Sequence, residues 1–264
     1  MGLFSTVWTT IQSVSAGFVK TAEPPSLSDG YTQPQYRAFM CAETYLYSAA
    51  YCSKRVEIVG GAHLTHAAQK GPVLVVFLHH GSWLLMNGAI HHQLGLAVTS
   101  IASRRNLDFC TQEEREFWLG VHQRAAESCR APVVFYTDQN PRGSIRWLSR
   151  PGQVLTVAMD VREPRFERPE YPFHFLGETI YLQTGPARLA KLTGAQIVPA
   201  AIEYSPSQCR HRLTLYPAID PQCGEHAATQ QALDSLAPRI AAVPAQQFYD
   251  LVSTLKAPQR PDSQ

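Results

Sequence analysis

Residues 73–83 read Val73-Leu74-Val75-Val76-Phe77-Leu78-His79-His80-Gly81-Ser82-Trp83. An unbroken apolar run rich in valine, preceded by Gly71-Pro72 and closed by a polar turn, is the pattern of a strand buried on both faces, as strands of parallel sheets are. Outward from it, Val56–Ile58, Val98–Ala102, Val133–Tyr136, Val154–Met159, Ile197–Ile202 and Arg212–Leu215 read as further strands. Helical patterns over Ala62–Gln69, Trp83–Leu94, Thr111–Arg124, Ser144–Arg150 and Arg188–Leu192 lie between them. This alternation predicts an α/β domain with a mixed, mainly parallel sheet flanked by helices.

The chain has 264 residues, 45% apolar and 17% charged, so there is ample material for a core and no sign of a disordered chain. The 23 basic and 21 acidic residues nearly balance and form no like-charge block, which argues against nucleic acid as a partner. Nowhere do eighteen apolar residues follow one another, so no transmembrane helix is expected. The start lacks the basic and apolar regions of a secretory signal, and the six cysteines are scattered without a C-x-x-C pair. They read as reduced thiols of a cytoplasmic protein, with no metal site.

Four segments are expected. Residues 1–54 form an N-terminal helical segment, with an apolar stripe over Leu3–Val19 and a second helix over Gln35–Ser53. The stripe reads as a helix docked on the core or on a partner, because it lacks the basic face of a membrane-interface helix. Residues 55–225 form the α/β core. Residues 226–257 hold two closing helices, His226–Ala241 and Ala245–Leu255, and residues 258–264 a disordered tail.

Ligands of such sheets gather at the carboxyl ends of the strands. His79 and His80 follow Val73–Leu78, Arg104 and Arg105 follow Val98–Ala102, and Asp160 follows Val154–Met159. A histidine pair, an arginine pair and an aspartate at three strand ends compose a candidate polar site. Taken singly, each has a plainer role: a histidine caps the next helix, turn arginines are solvated, and Asp160 pairs with Arg162 or caps a turn.

From Val56 onward the chain resembles the lysophospholipid acyltransferase superfamily, and most closely its lipid A lauroyl/myristoyl branch. Leu78-His79-His80-Gly81-Ser82-Trp83-Leu84 is similar to the catalytic block of that family, a histidine and four residues followed by an acid (H-x4-D/E). The longest match is Phe175-Leu176-Gly177-Glu178, then Thr184-Gly185-Pro186-Ala187-Arg188-Leu189-Ala190, Thr193-Gly194-Ala195 and Val198-Pro199. The resemblance implies an acyl group moved from a thioester, of CoA or of a carrier protein, to a hydroxyl or amine of a lipid or small molecule. No bound cofactor is implied. His79 falls on the general base. His80, Trp83, Gly177, Glu178 and Arg188 fall on substrate-lining segments, and Arg104 with Arg105 are the cations expected to meet a phosphate.

One departure is chemical. Leu84 stands where the family acid belongs, and a leucine can neither accept from an imidazole N–H nor offset its charge. By analogy with catalytic triads, losing such a carboxylate costs about 10⁴-fold in rate. Three readings stay open. Another acid, Asp160 first and Asp138 or Glu203 after it, orients His79 in a working acyltransferase. Alternatively, the fold is recruited for other chemistry in a specialised pathway. Or the chain is a non-catalytic relative whose apolar ends bind a partner enzyme. The cast of the sequence is cytoplasmic, with peripheral membrane contact compatible with it. If active, the histidine is expected at the floor of a cleft, with Trp83 opening a helix whose N-terminus faces a developing oxyanion.

Overall fold

A computed structural model describes residues 27, 30–43, 49–102, 111–129, 135–136, 141–161 and 169–258. The Leu3–Val19 stripe, Arg104, Arg105, Asp138, Arg162 and residues 259–264 lie outside them.

In chain order the elements are α1 (Gln33–Glu43), α2 (Ala49–Arg55), β1 (Val56–Val59), α3 (Gly61–Lys70), β2 (Val73–Phe77), α4 (Met86–Leu94), β3 (Ala97–Ala102) and α5 (Gln112–Ser128). They continue with β4 (Phe135–Tyr136), α6 (Pro141–Leu148), β5 (Gln153–Ala158), β6 (Tyr171–Phe175), β7 (Glu178–Leu182), α7 (Gly185–Thr193), β8 (Gln196–Ser205), β9 (Arg210–Leu215), α8 (Glu225–Ala242) and α9 (Leu251–Leu255). Seven strands form one sheet in the order β1-β9-β8-β2-β5-β3-β4. All its pairs are parallel except β8 with β9, so β1 and β9 run against the other five. The expected mixed, mainly parallel sheet is what forms.

β2 shows why. Its alternate residues Val73, Val75 and Phe77 pack under α2, α3 and α4 with Cys52, Leu64, Met86 and Ile90. Leu74, Val76 and Leu78 face the other way, onto Leu148 of α6, Ala187 of α7 and Leu233 and Leu236 of α8. Both sides are sealed, which only a strand apolar at every position tolerates. Each such side chain contributes about 1.5–3 kcal/mol on burial. A third cluster joins Tyr36, Phe39 and Met40 of α1 to Phe117, Trp118 and Val121 of α5, Tyr204 and Phe248.

Within the helix expected over Gln35–Ser53 the described residues form α1 and α2, with residues 44–48 outside the described set. Two other elements differ from expectation. Residues 171–182, for which no strands were expected, form an antiparallel hairpin. Leu176 and Gly177, at φ 52 and 81, are its two-residue turn, a left-handed pair suited to the twist of a hairpin. The helix expected over Ala245–Leu255 shrinks to α9. Before it come a single 3₁₀ turn, Pro244–Gln246, a bridging residue, Gln247, and a bend at Phe248 and Tyr249. That stretch is decisive for the site.

Candidate active site

β2 and β5 are neighbours in parallel register, Val73 beside Val154 and Phe77 beside Ala158. Continued two residues past each strand, the same register sets His79 beside Asp160. The Met159 N–H still donates to the Phe77 carbonyl at 2.8 Å, so pairing persists up to the site. Two bonds join the pair. The backbone N–H of His79 donates to Asp160 Oδ2 at 2.9 Å, and His79 Nδ1 lies 2.8 Å from Asp160 Oδ1. The first bond fixes the carboxylate plane and the second selects the ring orientation. A carboxylate can only accept, so Nδ1 carries the proton and Nε2 presents a lone pair. The His79 side chain retains 18% exposure while that of Asp160 has none.

Tyr249 completes the arrangement. Its hydroxyl donates to Asp160 Oδ2 at 2.6 Å. Burial drives the Asp160 carboxyl upward, but His79 and the Tyr249 hydroxyl outweigh it and hold the group below its ordinary value. Tyr249 arrives on the bend before α9, and the chain leading to it is sewn to the histidine turn. Phe248 N–H donates to the His79 carbonyl at 2.8 Å, Gly81 N–H to the Gln246 carbonyl at 2.9 Å, and His80 bridges Gln247. Gly81 is obligatory there. It sits at φ 66, and a Cβ on it would lie 1.7 Å from the Ile202 carbonyl oxygen.

The aromatic surround is close. Trp83 meets the His79 ring edge-on, centroids 4.7 Å apart at 83°, and meets Phe248 at 5.1 Å in the same manner. Leu84, which the resemblance sets at the position of the family acid, is packed among the apolar side chains of the second and third clusters. Trp83 opens a 3₁₀ turn, Trp83–Leu85, and α4 begins only at Met86. The N–H groups of Leu85 and Met86 donate to the carbonyls of Ser82 and Trp83, so the turn that Trp83 opens runs directly into α4.

The other expected residues divide. His80 is 2% exposed and turns its Nε2 to the Val243 carbonyl at 3.2 Å. Burial pushes its imidazole down to about 4, so it stays neutral inside the protein and is not at the ligand surface. Gly177 forms the hairpin turn, and Glu178 beside it pairs with Lys256 at 3.3 Å across exposed surface. Arg188 is exposed on α7. Glu203, an alternative acid, is 3.1 Å from Arg239 Nη1 and does not orient His79. A cavity of about 470 Å³ lined by His63, His66, Lys70 and Gln196 opens at the other edge of the sheet, where Gln196 pairs with the start of β2. It lies away from His79.

Sequence reasoning missed Tyr249 as a partner of the acid. The only available signal was a polar-aromatic segment, Gln247-Phe248-Tyr249-Asp250, between two short helical patterns. It also missed Glu43, a buried acceptor at the end of α1.

A histidine whose Nδ1 is held by a buried carboxylate, on the carboxyl edge of a mainly parallel sheet, can draw a proton from a hydroxyl or amine through Nε2. That chemistry is shared by many acyl-group transferases. The chain belongs to the bacterial lipid A biosynthesis acyltransferase family, which matches it over residues 36–250, from the first buried aromatic of α1 to the residue after Tyr249. It is thus a member of a transferase family of lipid biosynthesis. No curated protein matches the chain. Among the described residues no helix is long and apolar enough to cross a membrane.

Proposed function

We propose that the protein transfers an acyl group from a thioester to a hydroxyl or amine, with His79 as general base and Asp160 in place of the missing family acid. The observation that carries this reading is the 2.8 Å contact between His79 Nδ1 and Asp160 Oδ1. It supplies from the neighbouring strand what Leu84 cannot.

The steps balance with these groups. His79 Nε2 takes the acceptor proton as the acceptor oxygen or nitrogen attacks the thioester carbonyl carbon. Asp160 steadies the imidazolium that forms, and stays ionised itself because three donors surround it. The tetrahedral oxyanion then collapses and the C–S bond breaks. The departing thiolate recovers the proton from Nε2, leaving an ester or amide, a free thiol and the starting imidazole. No covalent acyl-enzyme is required. Trp83 and Phe248 shield one flank of the ring from water, which favours transfer over hydrolysis.

The donor in this reading is acyl-CoA or an acylated carrier protein, both cytoplasmic metabolites, so the reaction is placed on that side of the membrane. The acceptor is a lipid or small molecule reached at the membrane surface. Arg104, Arg105 and Arg188 are proposed to meet phosphate on either substrate, and the terminal segments to serve any protein partner.

The test is mass spectrometry of the purified protein incubated with lauroyl-CoA or lauroyl carrier protein and a glycolipid bearing free hydroxyls. The expected result is an acceptor heavier by one lauroyl group, with no such product from His79→Ala. A His79→Ala protein as active as the parent would overturn the reading.

A further inference from the structure

Acyl transfer through His79 and Asp160 leaves one buried carboxylate among the described residues unexplained. Glu43, the last residue of α1, is 2% exposed. Its Oε1 accepts from the Tyr51 hydroxyl at 2.6 Å and faces His211 Nε2 at 2.7 Å. Its Oε2 accepts from Ser82 Oγ at 2.9 Å. A hydroxyl has one proton, and Ser82 spends its own on Glu43. Tyr36, whose oxygen lies 3.1 Å from Ser82 Oγ, must therefore donate to Ser82. Burial first, and the Glu43 charge second, push both phenols well above their ordinary values, so they remain donors.

Ser82 is the informative member. It stands directly before the 3₁₀ turn Trp83–Leu85, where a serine ordinarily caps the turn with its own side chain. Here no such cap forms, and the hydroxyl reaches back 39 residues in sequence to Glu43. The turn is thereby anchored to the end of α1. The next residue on that turn is Trp83, whose ring bears on His79 at 4.7 Å. Asp160 constrains His79 through Nδ1 and the backbone. Trp83 constrains the ring from the side, and it can do so only while its own backbone is held.

We propose that Glu43 is a positioning residue for His79, acting through Ser82 and the turn that presents Trp83; this rests on the reading of His79 as the base. Glu43 touches neither substrate nor reacting atoms. Desolvating a carboxylate is costly, and three hydrogen-bonded partners on three different segments (α2, β9 and the histidine turn) share in offsetting that cost.

Selective ¹⁵N labelling of histidine in the full chain reads the claim without any substrate, through the share of His79 in the Nδ1–H tautomer. Thiol release from lauroyl-CoA in the presence of the glycolipid acceptor gives a second readout. Ser82→Ala removes the link while leaving Glu43 its Tyr51 and His211 partners. The expected result is a mixed or broadened His79 signal, with kcat at least tenfold lower and KM within about twofold. Tyr51→Phe removes a bond to the same carboxylate on the side away from Ser82, and is expected to lower the melting temperature while leaving the His79 signal unchanged. If Ser82→Ala does not fold, Ser82→Cys, which keeps the volume and a weak donor, is expected to give an intermediate His79 signal. Should both Ser82→Ala and Tyr51→Phe perturb His79, or neither, Glu43 is a structural residue only and the proposal is overturned. A parent protein inert toward lauroyl-CoA would remove the acyltransfer reading, while the tautomer measurement would still decide whether Glu43 positions His79.

Discussion

Asp160→Asn separates geometry from charge more cleanly than any other single change. Asp160 has no exposed side-chain surface, and among the described residues its carboxylate accepts from three donors: His79 N–H, His79 Nδ1–H and the Tyr249 hydroxyl. An asparagine has one accepting oxygen and one donating NH₂. The oxygen settles at the Oδ2 position, where two donors converge, and the NH₂ then faces Nδ1. His79 can meet that NH₂ only by giving up the Nδ1 proton and carrying it on Nε2. The ring is then held in place but presents a donor where the proposed reaction needs a base. The expected loss is about 10⁴-fold in kcat, the size of effect a wrong tautomer produces in a triad. Loss of a charge-assisted bond lowers stability by about 1.5–3 kcal/mol, with the fold retained. Lauroyl transfer by mass spectrometry reads the first, thermal unfolding the second, and ¹⁵N shifts of His79 the tautomer. An Asp160→Asn protein within tenfold of the parent, or one that loses activity while His79 keeps its Nδ1 proton, would refute the account of the pair.

Tyr249→Phe removes one of the three donors to Asp160 and is expected to lower the transfer rate about tenfold, or about 1.4 kcal/mol, measured in the same assay. Leu84→Glu is expected to destabilise the protein by about 1–3 kcal/mol without raising the rate, because the position is packed in apolar surroundings and Nδ1 already has its acid; a gain in activity would count against Asp160. Gly81→Ala should give insoluble or unfolded protein, since its Cβ would overlap the Ile202 carbonyl; a soluble, cooperatively melting variant would contradict the turn geometry. The Asp160 carboxyl is held below its ordinary value of 3.8, so its contribution to stability is complete above about pH 5 and disappears as the pH falls through the lower folded value. Melting curves from pH 5 down to 2 should therefore be less steep in pH for Asp160→Asn than for the parent.

The parts legible in the sequence were those written in local pattern. The Val73–Leu78 run, the Gly-punctuated helices and the segment around Thr184–Val198 carry their structure in neighbouring residues, and the sheet followed. His79 and Asp160 were readable as strand-end residues, but their adjacency depends on which strands are neighbours, which periodicity does not encode. The Tyr171–Leu182 hairpin was hidden because its strands are short, Pro172 interrupts the first and Glu178 falls in phase with the buried Ile180 and Leu182, while the turn signal lay in Leu176-Gly177 rather than in an Asn-Gly pair. Tyr249 was hidden behind an apparent helix. Glu43 gave no signal at all, since a glutamate ending a helix is ordinarily solvated, and only the convergence of α2, β9 and the histidine turn makes it a buried acceptor.

In a motif spelled H-x4-D/E the two groups stand five residues apart. Here 81 residues separate His79 from Asp160, and the β2–β5 register brings them together. Side chains on a strand alternate, so a slip of a single residue would send the aspartate to the far face of the sheet. The pair cannot exist before the central strands have docked. Formation of the His79–Asp160 contact is therefore a late, long-range event of folding, and recovery of activity after dilution from denaturant should track completion of the sheet rather than the appearance of helix. A chain of this kind carries its own proofreading: a misregistered copy would be compact and soluble, yet chemically silent.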